Sequence, residues 1–190
     1  MARRRAKNKT PKKRYWERQA ARPRRPAWWR RFLSTLWRWL MRPFTAPPPP
    51  PRIVLDTNIL VGGIMGPDSA SAKIVDAFLA GALNVVASPE TIHEARLVFR
   101  RHGGIRTIPG GRERAERVLR ALAEDARVVR NSTLPYPVCE DPSDDKFFAA
   151  AVVGNARYIV SNDKHLRRVG SYKGVKVLGS HRFAEEFPQR

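Results

Sequence analysis

Residues 52–190 are expected to form an α/β domain, a central parallel sheet covered by helices on both faces. Three observations predict it. Short buried apolar runs alternate with amphipathic helical ones, helix start and stop signals fall between them, and the preceding residues have a different composition.

That preceding part is an arm. Residues 1–51 hold 16 Lys or Arg and one acid, Glu17, whereas the other 139 residues hold 21 basic and 16 acidic side chains, so most of the net +20 lies on the arm. All five Trp and nine of the 16 Pro lie there too. Residues 1–26, dominated by Arg, Lys and Pro, cannot bury enough apolar surface to order themselves. Within residues 27–44, Trp29, Phe32, Leu33, Leu36, Leu40 and Met41 recur at helical spacing with arginines largely elsewhere, which predicts one short amphipathic helix. Pro47 to Pro51 form a semi-rigid spacer.

Beyond it, Ile53-Val54-Leu55 predicts the first strand. A helix starts near Ser69, buries Ile74, Val75, Phe78 and Leu79, and stops at Gly81. Val85-Val86-Ala87 is the second strand, and Ser88-Pro89-Glu90 starts a helix with proline at its first position. Ala115, Val118, Leu119 and Leu122 mark another helix. Val128-Val129, Tyr158-Ile159-Val160 and Val175 to Leu178 are further strands, with a helix at 142–154. Gly103-Gly104 and Gly110-Gly111 read as loop residues, and the Arg/Glu mixture of 112–125 as a solvated face. No apolar run is long enough to span a membrane, and the lone Cys139 allows no intrachain disulfide, which points to a reducing compartment.

Open α/β sheets place their sites beyond the carboxyl ends of the strands. Asp56 directly follows the first strand and Asp163 the Tyr158–Val160 strand, Glu94 lies in the helix after the second strand, and Asp141, Asp144 and Asp145 open the helix before Asp163. Carboxylates brought together repel one another, and a hard divalent cation such as Mg²⁺ or Mn²⁺ removes the conflict. Such an ion orients and acidifies water and stabilises charge on a phosphodiester.

Four stretches, IVLDTNILVGGI (53–64), SPETIHEARLVFRR (88–101), EDPSDDKFFAAAVVGNARYIVSND (140–163) and VKVLGSHRFAEEF (175–187), resemble the PIN-domain nucleases in the order of that family. The likeness is greatest to toxin components of bacterial toxin–antitoxin systems. It implies a three-layer α/β/α domain with the first and fourth strands adjacent. It further implies that Asp56, Glu94, Asp145 and Asp163 are the catalytic acids, hydrolysing RNA with Mg²⁺ or Mn²⁺. Asp56 and Asp145 are expected as direct metal ligands, Glu94 and Asp163 directly or through bound water, with Thr57, Asn58, Ser161 and Asp144 in support. A separately encoded antitoxin, a homodimer and a bacterial cytoplasmic location follow from the same resemblance.

Blander roles compete. Asp56 also suits a turn, Asp141 an N-cap, Asp144 a capping box, Glu90 the first-turn dipole, and Glu94 an exposed helix position. The four histidines lack zinc-ligand spacing, and Cys139 has no activating base nearby in sequence. The arm suits RNA phosphates, an anionic membrane surface through residues 27–44, or a protein partner; a misassigned start would make it none of these. The rival to catalysis is an RNA-binding module with a vestigial acidic pocket.

Overall fold

The structure, a computed structural model, describes residues 50–130 and 133–187. The arm helix expected at 27–44 and most of the proline spacer lie outside the described residues. The six strands are β1 (Arg52–Leu55), β2 (Asn84–Ala87), β3 (Arg127–Val128), β4 (Tyr158–Val160), β5 (Ser171–Tyr172) and β6 (Val175–Leu178). They form one sheet in the order β3-β2-β1-β4-β6-β5. Every pairing is parallel except that of β5 with β6. The antiparallel β5 lies at one edge of the expected parallel sheet. With two residues, it is too short to show a pattern of its own.

The helices are α1 (Thr57–Met65), α2 (Ala70–Leu79), α3 (Pro89–Arg101), α4 (Gly103–Thr107), α5 (Gly111–Glu124), α6 (Asp145–Val153), α7 (Lys164–Val169) and α8 (Ser180–Glu186). A 3-10 turn, Pro142–Asp144, leads into α6. Ser69 caps α2 as its position suggests, its Oγ accepting from the Ala72 amide at 3.0 Å. Gly81 ends that segment at φ +72, a left-handed conformation open to glycine at little cost. Gly103, Gly104 and Gly111 are helical rather than loop residues. Packing supplies the reason for Gly111, because a Cβ there would lie 2.3 Å from the Ile105 carbonyl oxygen.

Strand side chains alternate between two cores, as the period of two requires. Ile53, Leu55, Val85, Tyr158 and Val160 join a core with Ile59, Ile74, Phe78, Phe99, Val118 and Phe183 from the α1–α5 and α8 side. Val54, Val86 and Ile159 join Phe147, Phe148, Ala150, Ala151 and Leu166 from α6 and α7. The sheet is therefore the middle of three layers, and α6 is apolar nearly all round because Phe147 to Ala151 are all buried. β1 lies between β2 and β4, so the chain winds away from it in both directions and opens a crevice at the carboxyl ends of β1 and β4. None of the described helices is long and apolar enough to cross a membrane.

Candidate active site

The β1–β4 register pairs Leu55 with Val160, so the next residues, Asp56 and Ser161, emerge side by side at the crevice. The backbone continues the ladder there: Asp56 N–H donates to Val160 O at 3.0 Å and Ser161 N–H to Leu178 O at 2.9 Å. Asp56 is buried, and its Oδ2 accepts a short hydrogen bond from the Ser161 hydroxyl. Its Oδ1 accepts from the Asn58 amide at 3.3 Å, which also makes Asp56 the N-cap of α1. The turn role and the site role thus fall on the same side chain.

A polar network spreads from this pair. Ser161 Oγ accepts from Asn58 Nδ2 at 3.4 Å and from the Asp163 amide at 2.9 Å. Asn58 Oδ1 accepts from the Asn162 amide at 3.3 Å, and Asn162 Oδ1 accepts from the Ser180 amide at 3.0 Å. Asp163 is half-buried and caps α7 by accepting from the His165 amide at 2.6 Å. Thr57 is buried at the first position of α1.

Glu94 arrives on α3. A reciprocal capping box starts that helix: Ser88 Oγ accepts from the Thr91 amide at 3.3 Å, and Thr91 Oγ1 accepts from the Ser88 amide at 2.9 Å. Glu94 follows Thr91 by three residues, on the same helical face. Glu90 is held below its usual range by the Ser88 side chain and by its own backbone amide, in keeping with a first-turn role.

Burial pushes the Asp56 carboxyl up to about 6; the Ser161 and Asn58 hydrogen bonds oppose this, and the charges of Glu94 and Asp144 add to it. Asp144 is raised as well, first by burial, with Lys146 opposing and Asp141, Asp163 and Glu94 reinforcing. Asp56, Glu94, Asp144 and Asp163 therefore share one electrostatic neighbourhood.

Asp145, expected as a direct ligand, is turned elsewhere. Its carboxylate accepts from the backbone amides of Val138 at 3.1 Å and Cys139 at 2.8 Å. Consecutive helical residues point roughly 100° apart, so the neighbouring Asp144 and Asp145 side chains take different directions. Asp141 caps the 3-10 turn, accepting from the Ser143 amide at 2.8 Å. Asp144, at the N-cap position of α6, makes no side-chain cap bond there. Burial pushes the Cys139 thiol up to about 12, with Asp145 adding to the shift, which leaves the sulfur protonated and unreactive at neutral pH.

Sequence reasoning missed Lys146. Its ammonium pairs with Glu94 Oε2 at 2.6 Å and reaches the Ser143 carbonyl. Nothing local marks a lysine after two acids as the partner of a glutamate on another helix; only the approach of α3 to α6 makes it one. Among the described residues, no three His, Cys, Asp or Glu side chains close into a metal-ligand group. The donor chemistry still suits a hard cation, since the converging groups are carboxylate oxygens.

Comparison with known proteins adds the family. An uncharacterized protein of the archaeon Methanocaldococcus jannaschii is 27% identical over 144 residues, covering 72% of this chain and 91% of that protein. A solved structure, VapBC2 from Rickettsia felis bound to a DNA fragment from their promoter, matches with a TM-score of 0.40 at 12% identity, covering 67% of this chain and 98% of the matched one. The PIN domain family model matches residues 52–165, a span that takes in Asp56, Glu94, Asp144, Asp145 and Asp163. With more than half of its length inside that match, the chain belongs to the PIN domain family.

Proposed function

We propose that this protein is a divalent-metal-dependent endoribonuclease of the toxin type, in which Asp56, Glu94, Asp144 and Asp163 hold Mg²⁺ or Mn²⁺. PIN domains are generally nucleases and generally use divalent metals. In this reading Asp144 takes the place that the resemblance gave to Asp145, and Asp145 anchors the backbone at Val138 and Cys139. The observation that carries it is the buried Asp56 carboxyl at the carboxyl end of β1, which burial pushes up to about 6 with the charges of Glu94 and Asp144 adding to the rise. A purely structural N-cap gains nothing from such neighbours, whereas a cation site requires them.

A bound Mg²⁺ or Mn²⁺ would supply the positive charge that polarises a phosphodiester and makes a water molecule more acidic. The chain's own groups do the positioning. The Ser161 hydroxyl fixes the rotamer of Asp56, Asn58 ties Ser161 to the Asn162 backbone, and the α1 N-terminus favours the ionised form of Asp56. Lys146 pairs with Glu94 and offsets its charge. A separately encoded antitoxin that blocks the acidic crevice, and a homodimer, belong to the same proposal and rest on the motif resemblance.

The test is cleavage of mixed single-stranded RNA by the full-length protein with Mg²⁺ or Mn²⁺, beside Asp56→Asn and excess chelator. Cleavage that disappears in both controls supports the proposal. Equal behaviour of wild type and Asp56→Asn across substrates overturns it and favours a binding module acting through the basic arm.

A further inference from the structure

Beside the acids lies a groove of opposite character. It has a volume of about 650 Å³ and runs from Asn162 along β6 between α7 and α8, lined among others by Arg167, Lys176, Gly179, His181 and Arg182. No acid lines it. Its cations differ from others nearby in being largely uncommitted. Arg168, the neighbour of Arg167, is bound to Glu140 at 2.6 Å, and Arg182 shares one nitrogen with Glu186 at 3.0 Å. Arg167, Lys176 and His181 are exposed and form no ion pair among the described residues.

Position matters as much as charge. Gly179 and Ser180 follow β6 at the carboxyl edge of the sheet, the edge from which Asp56 and Asp163 project. Asn162 belongs to both regions: its amide meets Asn58 of the acidic network, and its side chain holds the Ser180 amide at the mouth of the groove. A Cβ on Gly179 would lie 3.7 Å from Asn162 Oδ1 and 3.8 Å from the Arg167 guanidinium carbon, so this residue sits between the amide and the cation at ordinary contact distance. A polyanion threaded through the crevice meets repulsion at the acids unless its flanking charges are met by cations.

We infer that this groove seats the backbone phosphates of single-stranded RNA flanking the bond at the acidic crevice. The inference rests on the nuclease reading. Arg167 and Lys176 are positioning residues in it, contacting phosphate oxygens without reading bases.

The experiment is run in excess chelator, so that binding is read without cleavage. Full-length ¹⁵N-labelled protein is titrated with a six-nucleotide single-stranded RNA at several salt concentrations. Amide signals of Gly170, Gly179 and Ser180 should move in the wild type. In Arg167→Ala/Lys176→Ala their half-saturation point should rise about fivefold, with the log–log salt slope lower by about 1.4, or about 0.7 for each lost phosphate contact. The control is Arg117→Ala/Arg120→Ala, which removes the same charge from the exposed face of α5 and should change the half-point by less than about twofold. Signals that stay still in the wild type, or equal effects of the two pairs, overturn the groove. Failure of the nuclease reading would appear separately, as absence of RNA cleavage with metal while these shifts persist.

Discussion

At the scale of single residues, one side chain often serves two ends, and the consequences are measurable. Asp56 caps α1 and sits among acids, and its carboxyl is raised from 3.8 to about 6. Because the folded value is the higher one, the metal-free fold is favoured by this group below pH 3.8 and loses that contribution as pH rises through about 6. The interval corresponds to about 3 kcal/mol. Asp56→Asn keeps the cap and the Ser161 partner while removing the charge. It is therefore expected to raise metal-free stability above pH 6 by up to that amount, read by denaturant unfolding against pH, while lowering RNA cleavage at least about 100-fold. For the wild type, metal binding should strengthen as pH rises through about 6, since the cation competes with the proton. The adjacent acids separate cleanly by the same kind of measurement. Asp145→Ala strips the acceptor from the Val138 and Cys139 amides and should lower stability by about 1–3 kcal/mol. Asp144→Asn should leave stability unchanged or slightly higher and weaken Mn²⁺ binding, as followed by calorimetry. The reverse pattern would return Asp145 to the metal.

Elements position these residues through contacts that local signals only partly reveal. Ser88 and Pro89 mark the start of α3, but the reciprocal bond from Thr91 shows only in the folded backbone. The approach of α1 to α2 depends on Gly63, where a Cβ would lie 2.5 Å from Val75 Cγ2 and 2.8 Å from the Ser71 carbonyl oxygen. Alanine would gain about 1 kcal/mol of helix propensity there. Overpacking against a backbone atom that cannot swing aside costs about 1–3 kcal/mol and prevails. Gly63→Ala should therefore lower the thermal midpoint and, because α1 begins at the Asp56 cap, reduce cleavage as well; scanning calorimetry checks the first. At this scale the sequence was legible wherever a cap or an apolar run had a local signature. It was not legible at Gly103 and Gly104, because glycine's weak helix propensity is overridden by the packing of Ile105 in the core.

For the whole molecule, a cation bridging β1, α3, the α6 start and the β4 end would link segments that are distant in sequence. Metal that binds only the folded state should stabilise it by about 2.7 kcal/mol at a hundredfold excess over its dissociation constant. The thermal midpoint should accordingly rise with added Mn²⁺, return with chelator, and respond far less in Asp56→Asn. An unchanged midpoint would count against a metal shared among these elements. The amino-acid sequence alone determined the alternation of strands and helices, the adjacency of Asp56 to the end of β1, the cap at Asp141 and the contrast between arm and domain, because each depends on neighbouring residues or on composition. Only the tertiary structure decided that the Asp145 carboxylate holds the Val138 and Cys139 amides, that Lys146 neutralises Glu94, and that uncommitted cations run beside the acids. Those outcomes depend on how separate segments meet at the carboxyl edge of the sheet, and helical periodicity along an almost wholly apolar α6 carries no record of it.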